Sequence, residues 1–152
     1  MAAHFLQVKH CLICESVRPE PGGKASILGF FGVAPNVSIL VQRLPLNIPL
    51  TFLMVCGAGD GKLHSGRATI VGPDSKETAV APISELILPA GEPDSNGMVV
   101  VSFQALHVPN PGKHVFNLSI DNKDTYSASF AILADADRFK AAFSFQEDFT
   151  LK

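Results

Sequence analysis

The chain has 152 residues, 47% hydrophobic but only 17% charged, with a formal charge of −2 and a pI near 6.2. That length supplies one domain with a full core and no need of disulfide or metal staples. The charge balance and the scatter of the twelve Lys and Arg residues leave no basic field for nucleic acid, and a single tyrosine with no tryptophan makes stacking platforms thin.

The first ten residues, MAAHFLQVKH, lack the basic, apolar and small-residue regions of a signal peptide. No run reaches the ~18 apolar residues of a membrane span. Three cysteines form an odd set, so a cytoplasmic protein with reduced thiols is expected. The first apolar run, around KHCLICES, reads as a strand, and RPEPGGK (18–24) separates it from a second, ASILGFFGVA. PLNIP (45–49) reads as a turn before LTFLMVCG, and GAGDGK (57–62) as a hairpin connection with Asp60-Gly61 at its tip. GPDSKE (72–77), GEPDSNG (91–97) and PNPG (109–112) close further strands.

The clearest two-residue period lies near the end. Phe116, Leu118 and Ile120 alternate with Val115, Asn117 and Ser119. After the polar DNKD, Tyr126, Ala128, Phe130 and Ile132 alternate with Thr125, Ser127 and Ser129. This predicts an antiparallel pair with one wet face. LTFLMVC and MVVVSF are instead apolar on both faces, so the second face needs a cover from the chain's own tail or from another subunit.

From about Asp135 the character changes. DADRFKAAF offers an aspartate cap and places Phe139 and Phe143 at helical spacing, and Phe145, Phe149 and Leu151 follow. Leaving such side chains in water costs ~1.5–3 kcal/mol each. Phe139, Phe143, Phe145, Phe149 and Leu151 are therefore the candidate interface residues. The expected organisation is a β-sandwich domain over 1–133 and a Phe-rich tail, helical or extended, over 134–152, docked on its own sandwich or on a neighbour.

Few motifs suggest chemistry. Cys11 and Cys14 have C-x-x-C spacing with His10 alongside, but a redox pair of this kind works from a helix N-terminus, and here a strand is expected. Residues three apart on a strand point to opposite faces, so the sulfurs diverge and neither bridge nor chelate. A zinc site would need a second pair of ligands, and Cys56, His10, His64, His107 and His114 show no such pattern. GAGDGK has three residues between Gly57 and Gly61 and Leu63 after Lys62, which departs from a phosphate loop. Asp121 with Asp124, and Glu92 with Asp94, read as turn residues. There is no G-x-S-x-G and no local Cys–His pair. His107 and His114, bracketing PNPG, read as exposed loop histidines. No catalytic, cofactor-binding or metal-binding residue is assigned, and no cofactor is expected.

The opening strand ending in LICESVR, the PEPGGK turn, ASILGFFGVA, the TIVGPDSKE hairpin and PNPGKHVFNLSIDNKDTYSASFAIL resemble a family of small uncharacterised bacterial proteins. The likeness spans roughly residues 5–133 and leaves the tail outside. It implies an immunoglobulin-like β-sandwich and brings no catalytic residues with it.

The fold expected is all-β: an immunoglobulin-like antiparallel sandwich of seven to eight strands with a short C-terminal tail. The functional reading is a non-catalytic module that binds an unknown protein partner or associates with itself as a homo-oligomer, without nucleic acid or a membrane span. The alternative is a small-molecule or peptide binder, or an enzyme, built on loops 18–24, 72–77 and 107–113 at one end of the sandwich. A secreted adhesion domain is disfavoured by the unpaired cysteine and the absence of a leader.

Overall fold

The computed structural model describes residues 6–92, 94 and 96–147, with side chains as far as residue 141. Among these residues nine strands form two sheets. They are β1 (Val8–Glu20), β2 (Lys24–Val33), β3 (Ser38–Val41), β4 (Leu46–Gly57), β5 (Leu63–Val71), β6 (Glu77–Ile87), β7 (Asn96–Val108), β8 (Gly112–Ile120) and β9 (Lys123–Ala134), followed by the helix α1 (Ala136–Glu147). One sheet has the order β2-β1-β4-β7 and the other β3-β9-β8-β5-β6. The protein is an all-β sandwich with a short C-terminal helix.

The core lies between the sheets. Phe52 on β4 stacks on Phe116 of β8 at 4.0 Å between ring centroids, meets Phe103 edge-on at 6.1 Å and leans on Phe130 at 5.7 Å. Ile13, Leu50, Met54, Ile70, Leu118 and Ile132 fill the space around these rings. The β8–β9 hairpin follows the alternation read from its sequence: Phe116, Leu118, Ile120, Ala128, Phe130 and Ile132 are buried. Asp121 and Asn122 both take positive φ, at 51° and 62°, which is the mirror-image two-residue turn that matches strand twist.

Several expectations change. The strands number nine, because β3, hidden between two proline-bearing segments, pairs with β9. That pair is parallel, which a set of hairpins alone does not produce. PLNIP does not stand apart as a turn: Leu46–Pro49 belong to β4, and the register against β7 slips between Ile48 and Leu50. Pro49 has no N–H to give the ladder, so an irregularity there is the way a strand tolerates it. GAGDGK is not a hairpin. It carries the chain from β4 in one sheet to β5 in the other, held by Gly59 N–H to the Pro89 carbonyl at 3.1 Å and Gly61 N–H to the Leu88 carbonyl at 3.0 Å. Turn composition marks where a chain reverses, and only burial of the apolar faces decides which sheet receives it.

After β9, the Asp135 carboxylate accepts the backbone N–H groups of Asp137 and Arg138, both at 3.1 Å, as an N-cap does. Asp135 N–H donates to the Val41 carbonyl at 3.1 Å, which starts the helix beside the end of β3. Phe139 is half-buried. Phe143 and Phe145 lie in the helix with side chains outside the described residues, and Phe149 and Leu151 lie outside them altogether.

Candidate functional site

The thiols come first, because the C-x-x-C spacing is the sequence feature closest to chemistry. Cys11 pairs with Met54 of β4 and Cys14 with Thr51, without a register slip between them, so three residues along the strand they face opposite ways. Cys11 points into the core, shares a hydrogen bond with the Tyr126 hydroxyl, and burial pushes its thiol up to about 11. Burial likewise pushes Cys56 up to about 11 and Tyr126 up to about 12. Cys14 is buried on the other side of the sheet, its thiol 3.5 Å from the Ser16 carbonyl and 3.8 Å from that of Thr51, and burial raises it too. All three thiols are free. A thiolate is the nucleophile, and raised values withhold it. In the native protein at pH 8 all three are expected to resist Ellman's reagent over minutes and to react fully in 6 M (~) guanidinium, the denatured state restoring ordinary thiol values. A fast-reacting native thiol would refute the assignment as structural residues.

The histidines separate. His107 on β7 is exposed and bonds Asn47 at 2.9 Å. His114 is not an exposed loop residue: it sits in β8 with its ring buried and stacked on Phe130 at 5.5 Å. Its Nδ1 lies 3.0 Å from the Gly112 carbonyl, and burial lowers its pKa. It belongs to the inward row of His114, Phe116, Leu118 and Ile120 that the alternation, followed one step further back, would have included. Among the described residues, His64, at the start of β5, is the histidine paired with carboxylates. Nδ1 lies 2.5 Å from Asp121 Oδ2 and Nε2 lies 3.0 Å from both oxygens of Asp60. These hydrogen bonds, that to Asp121 foremost, raise the pKa of His64, and His64 holds both carboxyls below their ordinary range. Asp60 and His64 are four apart in sequence, whereas Asp121 arrives from a turn 57 residues away, so no local pattern announced the group. With both nitrogens committed to carboxylates, the ring offers no free base to a hydroxyl nucleophile. Among the described residues no three of His, Cys, Asp and Glu are arranged to hold a metal ion.

Of the loops expected at 18–24, 72–77 and 107–113, the strands take the flanks and leave 21–23, 72–76 and 109–111 as links. Strand directions put these links at one end, with Gly112 close against Pro73. A hollow lies elsewhere, on the outer face of the five-stranded sheet. It is a basin of about 570 Å³ lined by polar residues including Arg67, Asn117, Ser119, Asp124 and Ser127. These residues satisfy one another: Arg67 pairs with Glu77 at 2.6 Å, Ser127 donates to Asn117 at 2.7 Å, and Ser119 donates to Asp124 at 3.1 Å.

The outer face of the four-stranded sheet has the opposite chemistry. Across the strands, register aligns Val33, Leu12, Leu53 and Val100 in one row, and Phe30, Cys14, Thr51 and Ser102 in the next. Val55 and Met98 continue the face. Cys14 and Leu53 are buried yet stand outside the cluster that fills the space between the sheets. They form a floor, with Phe30 (56% exposed) and Val33 on the β2 side and Met98 (50% exposed) and Val100 on the β7 side. This is the second apolar face that LTFLMVC and MVVVSF require.

No curated protein matches the sequence. Among solved structures, the Pseudomonas fluorescens alkylpurine DNA glycosylase AlkC, bound to DNA containing an abasic site analogue, is similar at a TM-score of 0.45 and 14% identity. The likeness covers 87% of this chain and 31% of that one, so this chain spans under a third of that enzyme's length. A family model matches residues 9–133, from β1 to the end of β9 and short of α1, and the chain belongs to that family of unknown function, DUF6941.

Proposed function

We propose that the protein is a non-catalytic binding module that associates with a second copy of itself through the outer face of the β2-β1-β4-β7 sheet. The apolar row structure of that face carries the reading. Phe30, Val33, Met98 and Val100, with Leu28 next along β2, are each about half exposed, which leaves on the order of 500 Å² of apolar surface in one patch, near the top of what monomers carry. Two such faces in contact bury about 1,000 Å², the scale at which specific association begins. The low charged fraction supports the same reading, as do the three unpaired thiols, which suit a reducing cytoplasm. The Phe-rich tail, with Phe139, Phe143, Phe145, Phe149 and Leu151, is a second candidate contact. The polar basin favours a small polar ligand less, because its side chains already pair among themselves.

Light scattering coupled to size-exclusion chromatography tests this. A mass of twice the monomer or more is expected at micromolar concentration, reverting to monomer in Met98→Lys and in Val100→Lys with an unchanged circular-dichroism spectrum. Both positions face solvent in the single chain, so the fold should accept the charge. A wild-type mass of one chain across the micromolar range would overturn the proposal.

A further inference from the structure

We propose that Asp60, His64 and Asp121 form a pH-released latch that holds the 58–62 connection to the β8–β9 turn at the end of the sandwich opposite the 21–23, 72–76 and 109–111 loops. The geometry dictates the protonation state. An ionised carboxylate only accepts hydrogen bonds, and a neutral imidazole has one donor and one acceptor nitrogen. With a carboxylate against each nitrogen, at 2.5 Å and 3.0 Å, both must donate, so the closed arrangement requires the imidazolium. The ring is well enclosed, its side chain 11% exposed. Losing one proton turns a lone pair toward one of the two carboxylates, and one side must give way.

The side that yields is set by how each carboxylate is anchored. Asp121 sits in the two-residue turn, where its N–H donates to the Ser65 carbonyl at 2.9 Å and its Oδ1 takes the Ser65 N–H at 3.4 Å. Asp60 lies in the connection between the sheets. Among the described residues its carboxylate otherwise takes only the Lys62 N–H at 2.9 Å, a bond inside the connection itself, whose backbone meets its surroundings through Gly59 N–H on Pro89 and Gly61 N–H on Leu88. The contact with Asp60 is also the longer, 3.0 Å against 2.5 Å to Asp121, so the Asp60 side yields and the connection is left with its Gly59 and Gly61 bonds. Other charged groups on the surrounding elements are Lys62 in the connection, Lys123 and Asp124 just past the turn, and Glu85 beside Leu86, the residue of β6 opposite His64. Asp124 accepts from Ser119.

The sign follows from linkage. A histidine whose pKa is raised on folding contributes its full stabilisation below the unfolded value near 6.5 and loses it as pH rises through the folded value. The two carboxyls, lowered on folding, lose theirs as pH falls through their folded values. The latch is closed between these limits and opens as pH rises through the raised value of His64.

Nitrogen-15 NMR of the His64 ring in the intact chain, followed from pH 5 to pH 10 (~) across the ordinary histidine range, tests it. A doubly protonated ring is expected at neutrality, with hydrogen-exchange protection at Gly59 and Gly61 falling through the same midpoint. Asp121→Asn should lower that midpoint by about one pH unit or more, a tenfold loss of proton affinity, and Asp60→Asn should lower it in the same direction. A neutral ring at neutrality, a midpoint indifferent to both substitutions, or protection at Gly59 and Gly61 that stays flat through the titration would each overturn the latch.

Discussion

Phe52→Ala is expected to cost about 3–5 kcal/mol of folding stability, much of what a domain of this size has to lose. Phe52 is fully buried and touches aromatic rings from both sheets: Phe103 on its own side, Phe116 and Phe130 across the gap. Truncation removes the transfer energy of the ring and leaves a hole lined by other rings that β-sheet backbones hold in place, so the hole stays open. Guanidinium unfolding should show the midpoint moving sharply down with little change in slope. Phe30→Ala supplies the contrast in a dilute, monomeric sample. The same side chain is lost from an outer face where it is half exposed, and the cost should be about 1 kcal/mol or less. Equal costs at the two positions would mean that the core is not centred on Phe52.

Gly66→Ala is expected to cost about 1–3 kcal/mol through overpacking. Gly66 is central in β5, opposite Ile120 of β8 and Ile83 of β6. A Cβ there would stand 2.5 Å from the Ser119 carbonyl oxygen and 2.7 Å from Ile120 Cδ1. The first of these is backbone in a hydrogen-bonded ladder and cannot step aside, so the β5–β8 pair has to part locally. Gly57→Ala is the control: the nearest atom to its Cβ is the Gln7 side-chain oxygen at 3.4 Å, a flexible neighbour that moves. Thermal unfolding should drop by several degrees in Gly66→Ala and hardly move in Gly57→Ala. A neutral Gly66→Ala would show that the two strands are not so closely apposed.

The strands of this protein were legible where one face is wet. Phe116, Leu118 and Ile120, and Ala128, Phe130 and Ile132, could be assigned to the interior from alternation, and the divergence of Cys11 and Cys14 followed from the same period. The doubly apolar runs were legible as a problem, an excess of greasy surface, but not as a place. Register supplied the place by lining up Val33, Leu12, Leu53 and Val100 across four strands.

His64 shows the opposite limit. Its two carboxylates lie four and 57 residues away, and each was read from sequence as an ordinary turn residue. Reading Asp60 as part of a hairpin tip hid the fact that the 58–62 segment crosses between sheets. His114 was misplaced because it was read as an exposed residue bracketing PNPG, when β8 begins at Gly112 and carries it on the inward row.

The amino-acid pattern alone therefore determined that this chain makes a sandwich, which side chains of its last hairpin turn inward, and that Cys11 and Cys14 face opposite sides of their sheet. These are consequences of a two-residue period and of water's aversion to apolar surface, both of which act within a few residues. Tertiary structure alone decided the parallel pairing of β3 with β9, the crossing of 58–62 between sheets, the apolar outer face and the company of His64. Each of these depends on which distant segments share a sheet or an end, and that is settled by how all the apolar faces are buried at once.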